Sequence, residues 1–243
     1  MIRLALLLVA LALPLRAETV PDCVVLLHGL ARSDASLIVM EEALEAEGFQ
    51  TVNADYPSTT DDIAALAALT LPRAFAACAP DAPAIHVVTH SMGAILLRHW
   101  YGTATPIRPG RTVMLAPPNQ GSELVDALGG LAPFEWMNGP AGLQLGTDGL
   151  APRLGPVWPG VGVVAGTRSL NPVASAILPG PDDGKVSVAS TRVEGMDDHI
   201  ELPVTHTFLM NSPLVIGEVL AFLRTGRFDR DLGYTDVIET FTD

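Results

Sequence analysis

Short apolar runs alternate with stretches of helical periodicity along most of this chain. Val24 to Leu27, Phe49 to Asn53, Ile85 to Thr89, Thr112 to Ala116 and Val161 to Ala165 read as strands, apolar enough to be covered on both faces. After the first of them, Leu37, Met40 and Leu44 recur at helical spacing and Gly48 supplies a stop. Near the other end, Leu202 to His206 is strand-like, and Pro213 opens a helix that runs to Gly226. Strands alternating with helices predict an α/β fold, a mostly parallel sheet flanked by helices. The alternation lapses between Gly129 and Gly160, where eight glycines and five prolines fall within 32 residues beside Phe134, Trp136 and Trp158. Such a stretch inside a compact domain is functional or disordered.

Candidate chemistry sits where strands end. Thr89-His90-Ser91-Met92-Gly93 follows an apolar strand and opens into a helix, the setting of a G-x-S-x-G turn that lifts a serine hydroxyl above the sheet. Gly93 meets the need for a small residue after the serine, whereas Thr89 stands where the pattern has glycine. Ser91 is therefore the candidate nucleophile. Upstream, the run ending in His28-Gly29-Leu30 is a strand and a tight turn, and the backbone N–H groups of Leu30 and Met92 are candidate donors to an oxyanion. In this architecture the acid follows the serine and the histidine comes last. His206, placed between the last strand and the last helix, fits the base better than His199. Asp183, beside Gly184 in a turn read as leading into a strand, fits the acid better than Asp182. His28 and His90 precede the acid and read as loop-ordering side chains. His86 and His90 lack the helical spacing of a zinc pair, so no metal site is expected.

Taken together, His28-Gly29-Leu30, His90-Ser91-Met92-Gly93, Pro118-Asn119-Gln120-Gly121-Ser122, Asp183-Gly184-Lys185-Val186 and Thr205-His206-Thr207 resemble the α/β-hydrolase superfamily, specifically bacterial secreted lipases and esterases. The resemblance runs from Cys23 to about Phe228. It implies Ser91 as nucleophile, Asp183 as acid, His206 as base, Leu30 and Met92 as oxyanion donors, and no cofactor. The activity it implies is hydrolysis of carboxylic esters, of lipids or acylglycerols, through an acyl-enzyme. A thioesterase or acyltransferase using the same triad, or a silent lipid-binding relative, are the alternatives. Phe208 occupies the position where several large secreted lipases carry a calcium-binding aspartate, so no calcium site of that type is expected. Residues 129–160 fall where relatives insert a lid, and read as a small cap whose Phe134, Trp136 and Trp158 line the acyl pocket. The alternative is a packed surface excursion anchored by its tryptophans.

Length and charge narrow the setting. With 243 residues and 49% hydrophobic content, one domain with a sizeable core is expected, over residues 18–228, followed by an acidic tail at 229–243. A formal net charge of −13 argues against nucleic acid and against electrostatic attraction to anionic membranes, so any contact with a lipid surface would be apolar and transient. The expected partner is a small-molecule or lipid ester, bound by a monomer. Arg3 followed by the apolar run Leu4 to Leu13, with Ala17 at a cleavage position, reads as a signal peptide over residues 1–17. A retained N-terminal anchor and a lipid anchor at Cys23 are the alternatives. In an exported protein, periplasmic or extracellular, Cys23 and Cys78 are candidates for a disulfide at the bottom of the sheet, the alternative being two buried thiols.

Overall fold

A computed structural model of the protein describes residues 20–105 and 108–234. The expected signal peptide and residues 235–243 of the tail lie outside them. Among the described residues six strands form one sheet: β1 (Cys23–Leu27), β2 (Gln50–Ala54), β3 (Ile85–His90), β4 (Pro109–Leu115), β5 (Val161–Gly166) and β6 (Asp198–Leu202). Their order is β2-β1-β3-β4-β5-β6 and every neighbouring pair is parallel. The helices, in chain order, are α1 (Ile38–Ala46), α2 (Ile63–Ala77), α3 (Met92–Tyr101), α4 (Glu123–Leu128), α5 (Ala132–Leu143), the single turns α6 (Pro172–Ser175) and α7 (Val188–Thr191), and α8 (Pro213–Thr225).

The continuous apolar strands follow from cover on both faces. On β1, Val24 and Leu26 pack with Met40 and Leu44 of α1 and Val215 and Val219 of α8. Cys23, Val25 and Leu27 pack on the opposite face with Leu66 and Leu71 of α2 and Ile95 and Leu96 of α3. Each such side chain, fully buried, stabilises the fold by roughly 1.5–3 kcal/mol. Since α1 carries the chain outward to β2 and α2 carries it back across to β3, the connections diverge between β1 and β3. The loops leaving the carboxyl ends of those two strands therefore part, and a crevice at that point is where open α/β sheets bind ligands.

Three local expectations are corrected. Leu202 to His206 is not a strand: β6 ends at Leu202 and Pro203, which has no N–H for a ladder, turns the chain so that His206 stands on a loop. The segment after Asp183 is not a strand either, because the Ser187 hydroxyl accepts from the Ser190 N–H and caps α7. Residues 129–160 hold more regular structure than their composition suggests. They contain α5, kinked at Gly139 (φ 62°) just before Pro140, and a 3₁₀ turn at Ala151–Leu154. The start of the tail is attached: the Asp229 N–H donates to buried Glu218 on α8, Arg230 pairs with Asp198, and Leu232 packs on the core.

Cys23 and Cys78 are joined by a disulfide, with their Cα atoms 5.8 Å apart and a sequence separation of 55. The bond ties the amino end of β1 to the end of α2. Closing a loop of that length is expected to stabilise the fold by about 4 kcal/mol through the unfolded chain. A Cys23→Ala/Cys78→Ala variant should show this as a lowered denaturant midpoint, with a somewhat steeper slope because the unfolded chain without the crosslink exposes more surface. A loss below about 1 kcal/mol would count against the loop-closure account.

Candidate active site

Ser91 sits between the last residue of β3 and the first of α3, with φ 52° and ψ −120°, a conformation that a non-glycine residue adopts only where its surroundings impose it. Its N–H donates to Leu115 O of the neighbouring strand at 2.8 Å. Gly93 is required on the helix side, since a Cβ there would stand 2.6 Å from Leu27 O and 2.8 Å from His28 O. Thr89, by contrast, is fully buried within β3, paired in register with Leu27 and Met114. The sharp turn forms with threonine at that position because the close backbone approach falls at residue 93.

Three loops bring the sequence-derived candidates together. His206 Nδ1–H donates to Asp183 Oδ2 at 2.7 Å, and the Ser91 hydroxyl donates to His206 Nε2 at 3.2 Å. The other carboxylate oxygen of Asp183 accepts the backbone N–H groups of Lys185 (3.0 Å) and Val186 (2.8 Å), so Asp183 is held at both oxygens. Room for it exists because Gly166, at the end of β5, has no side chain: a Cβ would lie 2.7 Å from Asp183 Cβ. The His206 N–H donates to Asp183 O, and His90 Nε2–H donates to His206 O at 3.1 Å, which fixes the loop from both sides. His90 is buried and its pKa lies well below the ordinary histidine range, first through desolvation and then through the neighbouring His206 ring and the cations Arg32 and Lys185. It is a neutral hydrogen-bond donor to the histidine loop. His199 stands apart, against Thr191. Asp182 accepts from Ser175 and from the Gly184 N–H.

The loop after β1 is braced in a similar way. His28 stacks on Tyr56 with ring centroids 4.0 Å apart, its Nδ1–H donates to Gly29 O at 2.9 Å, and its Nε2 accepts from the Tyr56 N–H at 3.3 Å. The Ala31 N–H is taken by Ser58 Oγ at 2.9 Å. Among the described residues the Leu30 N–H has no acceptor. Met92 is the first residue of α3, so its N–H has no acceptor within the helix either, and the helix dipole adds partial positive charge there. These two groups are available to a developing negative charge beside Ser91.

A cleft of about 700 Å³ opens over Ser91 and His206. One wall is apolar: Leu124, Val125 and Leu128 from α4, then Leu131 at the N-cap of α5 and Phe134 and Met137 within it. Of the three aromatic residues expected to line it, Phe134 alone does so. Trp136 is 86% exposed, since helical spacing places 134 and 137 on one face of α5 and 136 on another. Trp158 packs against Tyr101, ring centroids 4.3 Å apart, in the core below. The wall also begins earlier than residue 129. Leu124, Leu128 and Leu131 recur at helical spacing, a signal in the sequence that would have found them. Asn119 holds Arg98 and Thr191 beneath the cleft, outside its lining. Arg32 and Lys185 also line the cleft, from the loops after β1 and after Asp183.

Residues 24–233 match the alpha/beta hydrolase family. The chain belongs to that family. Solved structures that the hydrolase resembles include the mature lipase BlEst2 of Bacillus licheniformis, at 17% identity over 86% of this chain and 94% of that one, with a TM-score of 0.62. Phospholipase PlaB of Legionella pneumophila gives 17% identity and a TM-score of 0.66 over 90% of this chain, which spans 62% of that larger protein. The metagenomic carboxyl esterase MGS0156 gives 19%, 81% and 68% coverage, and 0.58. At these identities the likeness is one of fold. No curated protein matches the sequence.

Proposed function

We propose that this hydrolase cleaves carboxylic esters of aliphatic acids through an acyl-enzyme on Ser91. The reading rests on one observation: a serine, a histidine and a buried aspartate linked in series by hydrogen bonds at the floor of a cleft with an apolar wall. With its proton held on Nδ1 by Asp183, His206 presents Nε2 as the base for the Ser91 hydroxyl. Ser91 attacks the ester carbonyl, the Leu30 and Met92 N–H groups hold the oxyanion, and His206 then protonates the departing alcohol. Water, activated by the same histidine, releases the acid. Each oxyanion donor contributes on the order of 3 kcal/mol in the transition state. The apolar wall of α4 and α5 takes the acyl chain, and this segment is the cap. The Cys23–Cys78 bond supports an oxidising compartment as the place of action.

Covalent labelling tests the assignment. A fluorophosphonate should add to the protein at one site, located by mass spectrometry at Ser91, and the adduct should be lost in His206→Ala. A folded protein that takes no label, or takes it elsewhere, would remove the ester-hydrolase reading.

A further inference from the structure

The chain carries 27 acidic residues against 14 basic ones, so two basic side chains in one cleft reverse locally the charge of the whole. Among the described residues Arg192, Arg224 and Arg230 pair with acids, and Arg98, Arg108, Arg111 and Arg153 donate to backbone carbonyls. Among the described residues Arg32 and Lys185 have neither an ion pair nor a side-chain hydrogen bond. Other uncommitted arginines, such as Arg73, stand on open surface, but these two line the same cleft as Ser91 and His206. Lys185 is the only lysine in the chain. The two charges lie close enough to act on each other and on buried His90: desolvation first, and then Arg32, lowers the Lys185 pKa. Asp183 makes no ion pair with Lys185, its oxygens being taken by His206 and two backbone N–H groups, and its charge only partly offsets the effect of burial and Arg32.

Position says which half of the substrate they face. The acyl wall is built by α4 and α5, while Lys185 follows Asp183 on the loop that orients His206, the side from which the departing group receives its proton. Arg32 follows the oxyanion loop. We propose that Arg32 and Lys185 form a phosphate site for the leaving half of the substrate, so that the preferred ester or thioester joins an aliphatic acid to a phosphate-bearing alcohol or thiol. Two cations lining one cleft match a phosphate monoester of charge about −2 better than a carboxylate of −1. The inference rests on the acyl-enzyme reading above. Water adds across the acyl bond, the carbonyl carbon to leaving-atom bond breaks, and the products are the fatty acid, as carboxylate and a released proton, and the phosphate-bearing alcohol or thiol.

The test is the ratio of kcat/KM between matched substrates presented below their critical micelle concentrations. These are 1-lauroylglycerol, 1-lauroylglycerol 3-phosphate and lauroyl-coenzyme A. The phosphate-bearing monoglyceride should be favoured over its neutral counterpart by about tenfold or more at low salt, and the advantage should shrink as salt is raised. Arg32→Gln and Lys185→Gln should each lower that ratio severalfold and together bring it near one, while Arg73→Gln, on the exposed face of α2, should leave it unchanged. Glutamine at 185 keeps the backbone N–H that Asp183 needs. Preference for the monoglyceride phosphate or for the coenzyme A thioester separates a lipid headgroup from a nucleotide as the source of the phosphate. A wild-type ratio at or below one for both phosphate substrates, with the neutral ester turned over, overturns the phosphate site and leaves the esterase reading intact. A preference that survives the double substitution also overturns it. No turnover of any of the three removes both.

Discussion

Replacing Ser91 by alanine is expected to lower ester turnover by roughly 10⁶-fold while leaving the fold in place. The size of the loss follows from what Oγ does alone. Among the described residues no other hydroxyl is hydrogen-bonded to His206 Nε2, so on the proposed mechanism the covalent route closes without it and only binding and oxyanion stabilisation remain. The fold should persist because alanine keeps the Cβ that the strained turn already accommodates, and the single lost hydrogen bond is worth about 1 kcal/mol. Turnover of a short-chain ester, measured beside a thermal melt, decides the matter. Retention of more than about one per cent of the rate in a well-folded variant would take Ser91 out of the chemistry.

Asp183→Asn should cost about 10⁴-fold in kcat at neutral pH, although it removes a single charge and no volume. The reason lies in the two backbone N–H groups on Oδ1. An amide NH₂ cannot face two donors, so the asparagine carbonyl oxygen takes that side and its NH₂ turns toward His206 Nδ1. His206 must then accept at Nδ1 and carry its proton on Nε2, where it meets the Ser91 hydroxyl as a donor and no longer as a base. Steady-state kinetics on the purified variant, with circular dichroism to verify folding, would show it. A loss below about tenfold would mean that Asp183 does not set the histidine tautomer.

Parts of this molecule were legible in its sequence for physical reasons that other parts do not share. β1 and β3 are covered on both faces, so their side chains read as unbroken apolar runs. That Ser91, Asp183 and His206 meet was legible because chain order in an α/β sheet restricts which histidine and which acid reach the serine. The helix of residues 132–143 was hidden by the glycines and prolines that kink it, and β6 by Asp198, His199 and Glu201, since an edge strand keeps polar groups facing water. The aromatic residues misled because size was read without face: Trp136 looks outward and Trp158 serves the core. That Arg32 and Lys185 line one cleft had no sequence signal, as the two come from loops distant in the chain that only the sheet brings together.

The crosslink between Cys23 and Cys78 lies at the amino end of β1, the opposite edge of the sheet from Leu30, Ser91 and the cleft. Breaking it therefore touches no group that handles substrate. A reduced molecule should turn over substrate at the oxidised rate while it stays folded, but unfold more often and be digested sooner by any protease present. Redox conditions would then govern the half-life of the protein and leave its specific activity alone, so an assay of initial rates would miss an effect that total product formed over hours would reveal.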